Sequence, residues 1–86
     1  MWSIEYSREV RNYIYDSYPY TEQIWQAIKS LRQTLDGLPD NDWMQLELNT
    51  YRWEVANHLV IYQRIVAQKK LIITVLKPFG SEISSI

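Results

Sequence analysis

The segment Arg52-Trp53-Glu54-Val55-Ala56-Asn57-His58-Leu59-Val60-Ile61-Tyr62 predicts two strands joined by a tight turn. In its first part, large apolar residues alternate with charged ones, which is the pattern of a strand with one buried face. Ala56-Asn57 interrupts this alternation, and Asn tolerates the left-handed backbone that a hairpin turn often needs. The second part is apolar without interruption, as in a central strand. A third run, Leu71–Leu76, follows, so the three runs together predict a meander.

Upstream of this meander, the sequence predicts a short strand and two helices. Residues 2–6 alternate between apolar and polar. Ser7 is a favourable N-cap for the first helix, and Pro19 ends it because the residue before a proline avoids the helical conformation. Thr21 is expected to cap the second helix, and Gly37 is expected to end it as a C-cap glycine. The predicted buried stripes are Val10, Tyr13, Ile14 and Tyr18 on the first helix, and Ile24, Ile28, Leu31 and Leu35 on the second.

The predicted fold class is α+β, with the order strand, helix, helix, then three or four strands. A short connection between the helices predicts an antiparallel helical hairpin packed on one face of a mostly antiparallel sheet. The alternation of Met44, Leu46 and Leu48 with polar residues suggests the fourth strand. We expect residues 1–79 to form a single domain and residues 80–86 to form a flexible C-terminal tail.

Composition narrows the function classes. The chain has 86 residues, 47% of them hydrophobic, a net charge of −1 and no cysteine. The missing thiols exclude disulfides, thiolate catalysis and cysteine-based zinc sites, and no cofactor or metal is expected. The near-neutral charge gives no general indication of nucleic-acid binding. The chain begins without a signal-peptide pattern and has no apolar run long enough to cross a membrane, so a cytoplasmic location is expected.

Two of the predicted strands are apolar on both faces, although a helical hairpin can cover only one. Burial of each Val or Ile side chain is worth roughly 1.5–3 kcal/mol, so exposure of the second face is unfavourable. Either the curl of a small sheet buries both faces, or the C-terminal tail, a second copy of the chain or a partner's peptide covers the second face.

With this element order, the segment Arg52–Tyr62 resembles the RelE/ParE family of bacterial type II toxin–antitoxin toxins. That family has an arginine-containing strand, a two-residue turn and a strand ending in Val-Ile-Tyr, which correspond here to Arg52-Trp53-Glu54-Val55, Ala56-Asn57 and His58–Tyr62. The opening Trp2–Ser7 and the last strand with Lys77 also match, so the resemblance spans about residues 2–79.

The resemblance implies a small toxin that is neutralised by a cognate antitoxin. One branch of the family inhibits translation by cleaving messenger RNA on the ribosome, and another poisons DNA gyrase. An antitoxin wraps the toxin and would cover the second sheet face. On the same fold, the alternative is a catalytically degenerate, non-toxic interaction domain, which would form a homodimer or heterodimer through that face.

The resemblance assigns Arg52, Lys77 and His58 as candidate catalytic residues. It also places Glu54 and Leu59 at positions where the RNA-cleaving branch has basic residues, and this makes the ribonuclease activity an open question. Partner binding is assigned to Tyr62, Ile72 and Thr74, which lie on the last two predicted strands.

The residues by themselves favour simpler roles. Arg52 and Glu54 share one face of a strand, and an ion pair facing solvent is the simpler interpretation of them. His58 is the single histidine of the sequence, and a structural role is favoured for it over catalysis. Among the clustered tyrosines, Tyr13 and Tyr18 are expected in the core, whereas Tyr15 and Tyr20 are expected at the surface.

Overall fold

A computed structural model describes residues 1–79 and confirms the predicted α+β architecture. Two helices pack on one face of a five-stranded sheet, in which the strand order is β1-β5-β4-β3-β2. The β1–β5 pair at one edge of the sheet is parallel, and the other three pairs are antiparallel. The elements are β1 (Ser3–Tyr6), α1 (Arg8–Asp16), α2 (Glu22–Ser30), β2 (Trp43–Glu47), β3 (Thr50–Val55), β4 (His58–Ile65) and β5 (Lys70–Pro78), with short 3₁₀ turns at Leu31–Gln33 and Val66–Gln68.

The turn between β3 and β4 has the predicted form. Ala56 and Asn57 have φ angles of 51° and 60°, which is the left-handed pair of a two-residue hairpin turn. This turn sets the register, in which Val55 pairs with His58 and Trp53 with Val60. A two-residue loop fixes which side chains share a face, so it determines the placement of every polar residue on this hairpin.

The helices are shorter than the apolar spacing predicts. Helix α1 begins at the expected cap, where the Ser7 hydroxyl accepts a hydrogen bond from the amide of Val10. It ends at Asp16, and the predicted core residue Tyr18 lies beyond it with 58% exposure. Helix α2 ends at Ser30, and Leu35 is 93% exposed. The prediction that Tyr18 and Leu35 belong to the buried helical stripes is therefore wrong.

Two predicted caps have other structural roles. The Thr21 hydroxyl makes no cap bond and instead donates to the carbonyl of Ile14 at 2.7 Å, which ties the end of α1 to the start of α2. Gly37 lies well after the end of α2 in a left-handed conformation with φ of 75°. An added Cβ at Gly37 would lie 3.1 Å from the Trp2 ring, so this position needs glycine because of close packing and backbone conformation.

The core lies between the helices and one face of the sheet. The helical layer contributes Val10, Ile14, Ile24, Ile28 and Leu31. The sheet contributes Tyr51, Trp53, Val60, Tyr62, Leu71, Ile73 and Leu76, and Trp2 joins them from the position just before β1. We call the opposite side the outer face. Within residues 1–79, no helix has the length and apolar character needed to cross a membrane. The predicted tail at residues 80–86 lies outside the described residues.

Candidate functional site

The outer face carries Arg52, Glu54 and Lys77. Arg52 alternates with the core residues Tyr51 and Trp53, so it points away from the helices. Glu54 pairs in register with Leu59, which in turn pairs with Lys77 on β5. These charged side chains therefore lie on one surface, formed by the three central strands.

Arg52 and Glu54 form an ion pair on this outer face. The Arg52 Nη1 contacts the Glu54 Oε2, and the two side chains are 34% and 36% exposed. The predicted solvent-facing pair is thus present. This ion pair holds the Arg52 guanidinium against the Glu54 carboxylate, so the two residues together add no net positive charge to the outer face.

Leu59, on β4, lies between Glu54 on β3 and Lys77 on β5. It is only 9% exposed. A buried leucine offers no hydrogen-bond donor to a phosphate or a developing oxyanion. The central position of the outer face is therefore apolar.

His58 lies on the opposite face of the sheet, away from Arg52 and Lys77. It is 1% exposed, and its two ring nitrogens contact the Ala56 carbonyl oxygen and the Tyr13 hydroxyl, each at 2.8 Å. A carbonyl oxygen can only accept, so Nδ1 carries a proton, and in the neutral ring Nε2 accepts from Tyr13. Because the sheet separates His58 from the two basic residues, the structure does not bring the three candidate catalytic residues into one site.

The tyrosines near His58 form a small aromatic cluster. The rings of Tyr13 and Tyr20 each lie 5.6 Å from the imidazole, centroid to centroid. Burial raises the pKa of the Tyr13 hydroxyl, which keeps it protonated and able to donate to His58. The cluster joins α1 and the segment after it to the start of β4, so it has a structural function.

The three residues assigned to partner binding have different surroundings. Tyr62 is completely buried, and its hydroxyl donates to the Gly37 carbonyl at 3.1 Å. In this conformation it has no surface that a partner could touch. Ile72 and Thr74 are half-buried on β5, and Thr74 donates to the Ile61 carbonyl at 3.1 Å. Ile72 pairs with Gln63 and lies on the outer face, where contact with another protein is possible.

Arg64 has a structural role that the sequence does not indicate. Its guanidinium donates to the Asp36 carbonyl at 2.8 Å and to the Tyr51 hydroxyl at 3.0 Å, and it lies over the Tyr51 ring. These bonds fix the segment after α2 onto the sheet. The partners are 13 and 28 residues away in the chain, so no local pattern could have revealed them.

A cleft of about 610 Å³ adjoins the β3–β4 turn. Its lining, among residues 1–79, includes the carboxylates of Asp40, Asp42 and Glu54 and no basic side chain. Such a lining repels phosphate groups. This cleft is therefore unsuited to nucleic acid.

The fold of this chain is similar to that of RelE proteins of known structure. The complex of archaeal RelE with RelB from Pyrococcus horikoshii OT3 superposes with a TM-score of 0.75 at 19% sequence identity, over 93% of this chain and 97% of that one. The isolated E. coli RelE toxin superposes with a TM-score of 0.72 at 10% identity, over 99% and 93% of the two chains. At these identities the similarity establishes the fold. Comparisons with protein-family models and with curated proteins give no match.

Proposed function

We propose that this chain is the toxin of a type II toxin–antitoxin system and is neutralised by a cognate antitoxin. The observation that supports this most strongly is the superposition of nearly the whole chain on two RelE structures, one of them a complex with RelB. The shared region covers 93% and 99% of this chain in the two superpositions, so the similarity is not limited to a common supersecondary motif. The proposal is consistent with an outer face on which apolar residues such as Ile61, Ile72 and Val75 remain only half-buried.

The proposed action is inhibition of translation. Both similar structures are RelE proteins by name, and the alternative of a gyrase poison has no support from them. Arg52 and Lys77 are basic side chains of the outer face that would approach RNA.

A second candidate function follows from the Arg52–Glu54 ion pair. With Arg52 bound to Glu54 and a leucine at position 59, the described outer face offers no unpaired guanidinium to stabilise the charge that develops during RNA cleavage. The chain would then act by binding alone, either as a toxin that blocks its target without cutting RNA or as a non-toxic interaction domain.

Induced expression in a bacterial host tests these alternatives. We expect growth arrest when the chain is expressed alone, and normal growth when the product of the adjacent gene is co-expressed. Unimpaired growth at a verified level of folded protein would refute the toxin proposal. If growth stops, Arg52→Ala distinguishes cleavage from binding: retained arrest with intact messenger RNA indicates a toxin that does not cut. Arg8→Ala, an exposed change on α1, is the matched control.

A further inference from the structure

Two adjoining cavities lie beside strand β1 and the helices. One, of about 380 Å³, lies between the end of β1 and the two helices, and the other, of about 350 Å³, runs along β1 and α2. Tyr6 and Trp25 line both cavities, so the two spaces share a wall. Small-molecule sites in proteins have volumes of about 300–1,000 Å³. The two cavities are therefore large enough to hold two parts of one small ligand.

The first cavity, which we call the aromatic cavity, is mostly apolar. It is lined by Tyr6, Arg11, Ile14, Tyr15, Tyr18 and Trp25. Tyr15 and Tyr18 are 73% and 58% exposed, so their rings are accessible to a ligand. Four aromatic side chains around one apolar space favour a planar ring, and nucleobases stack on tyrosine and tryptophan side chains in this way.

The second cavity, which we call the anion cavity, is basic. Its lining consists of Ser3, Ile4, Tyr6, Trp25, Lys29 and Arg32, with no acidic side chain among residues 1–79. The Lys29 ammonium lies 4.5 Å from the centroid of the Trp25 ring, which holds its charge beside the wall that the two cavities share. Two cations at one small cavity favour an anion with more than one negative charge.

The Tyr6 hydroxyl adds a hydrogen-bond donor at the shared wall. Burial raises the pKa of this hydroxyl, and its hydrogen bond with Trp25 and the nearby charge of Arg32 partly offset the rise. An indole nitrogen can only donate, so the Tyr6 oxygen accepts from Trp25 and keeps its own proton for another acceptor. A phosphate group, which accepts hydrogen bonds and carries negative charge, matches both the hydroxyl and the guanidinium.

Carboxylates do not neutralise the anion cavity within the described part of the chain. The ion pairs there are Arg52 with Glu54 and Lys70 with Glu5. Glu5, the acidic residue of β1, contacts Lys70 at 2.9 Å. The Arg32 guanidinium contacts the uncharged Met1 sulfur at 3.7 Å. This surface is therefore positive, although the chain as a whole has a net charge of −1.

We propose that the two cavities bind a free nucleoside diphosphate. The base lies in the aromatic cavity, and the phosphates lie in the anion cavity, where Lys29, Arg32 and the Tyr6 hydroxyl contact them. The ribose crosses the wall between the cavities. This binding goes beyond the function proposed above and does not depend on it.

The site fits a free nucleotide better than it fits two other aromatic anions. An aromatic carboxylate carries one charge, which is too little for the two cations of the anion cavity. A strand of RNA is held by a positively charged groove that follows its backbone, but outside the cavities α1 exposes the acidic residues Glu9 and Asp16. Preferential binding of RNA is therefore an opposing outcome in the test.

Isothermal titration calorimetry of the purified full chain tests the two-part site with ADP, adenosine and pyrophosphate. Adenosine carries the ring without the charge, and pyrophosphate carries the charge without the ring. We expect ADP to bind at least about tenfold more tightly than either fragment, because binding of one part raises the effective concentration of the other.

Substitutions assign each part of the ligand to its cavity. Lys29→Gln should weaken ADP binding about fivefold and leave adenosine binding unchanged, since it removes one charge from the anion cavity. Tyr18→Ala should weaken both ADP and adenosine at least about fivefold, since it removes a stacking surface. Arg8→Gln is the matched control, because Arg8 is exposed on α1 outside both linings, and it should leave all affinities unchanged. Circular dichroism verifies the fold of each variant.

Four results would overturn the proposal. The first is the absence of ADP binding at millimolar concentration, and the second is binding of adenosine or pyrophosphate as tight as that of ADP. The third is an equal loss of ADP affinity in Lys29→Gln and Arg8→Gln. The fourth is a short single-stranded RNA that binds more tightly than ADP and loses its affinity in Lys29→Gln, since the occupant would then be RNA.

Discussion

Arg52 and Glu54 point to the same side of strand β3 and form an ion pair on the face of the sheet opposite the helices. Two residues apart on a strand, they share a face as a direct consequence of the period of two. The pair therefore follows from sequence, whereas its position relative to Leu59 and Lys77 depends on the register that the β3–β4 turn sets.

Removal of the Glu54 charge should strengthen RNA binding. Glu54→Gln releases Arg52 from its carboxylate partner, and Glu54→Arg adds a second cation beside it. We expect the affinity for a short single-stranded RNA to rise about threefold and about tenfold, respectively, at low salt, because each phosphate contact adds a salt-dependent increment. Fluorescence anisotropy across a series of salt concentrations measures the RNA affinities of both variants. Equal affinities for the wild type and Glu54→Arg would show that RNA does not approach this face. Glu9→Arg, at an exposed position of α1, is the control, because it changes the net charge of the chain by the same amount as Glu54→Arg.

Loss of the Tyr13 hydroxyl should destabilise the protein. In Tyr13→Phe the Nε2 of His58, a residue with 1% exposure, loses its partner, and an unsatisfied buried polar group costs about 1–3 kcal/mol. We expect the free energy of unfolding in urea to fall by that amount. Tyr15→Phe, at a tyrosine that is 73% exposed on the same helix, should stay within about 0.5 kcal/mol of wild type. Similar stabilities for the two variants would contradict a structural role for the Tyr13–His58 bond.

Gly37→Ala should lower the stability of the protein, because two unfavourable effects coincide at this position. The left-handed φ of 75° is unfavourable for alanine, and the new Cβ would lie 3.1 Å from Trp2 and 3.2 Å from Leu71. We expect a loss of about 1–3 kcal/mol in the free energy of unfolding. Asn57→Gly, at another left-handed position, should be within about 0.5 kcal/mol of wild type. An unchanged melting temperature in Gly37→Ala would contradict both the left-handed conformation of Gly37 and its close packing against Trp2.

Stability should fall at alkaline pH, in part because of Tyr62. Burial raises the pKa of its hydroxyl well above the ordinary value of 10.0. The folded protein therefore keeps this proton after the unfolded chain has lost it, so the stabilisation is complete below about pH 10 and declines as the pH rises further. The limiting slope is about 1.4 kcal/mol per pH unit for one group. Urea titrations above pH 10 should show a shallower decline in Tyr62→Phe, and identical slopes would contradict this assignment.

The sequence predicts the β3–β4 hairpin better than it predicts the ends of the helices. Asn57 and the alternation around Trp53 act locally, so the β3–β4 hairpin could be predicted. Apolar spacing alone does not mark a helix end, and Tyr18 and Leu35 continued the period without being helical. Contacts such as those of His58 and Arg64 join residues far apart in sequence, so they follow from the tertiary structure and not from any local pattern.

The candidate site was predictable only in part. Alternation placed Arg52 and Glu54 on one face, but it could not place His58 relative to them, because that depends on the turn and on which strand faces the helices. No local pattern predicts the cavity of about 380 Å³ beside β1, since its lining combines Arg11 and Trp25 from the two helices with Tyr6 from β1.

The most direct measurement of the central claim is protein synthesis in a reconstituted bacterial translation system to which the purified chain is added. The proposed function predicts that reporter synthesis falls with increasing amounts of the chain and recovers when the product of the adjacent gene is added in equal amount. Undiminished synthesis at a large excess of folded chain over ribosomes would contradict the claim that this protein is a toxin directed at translation.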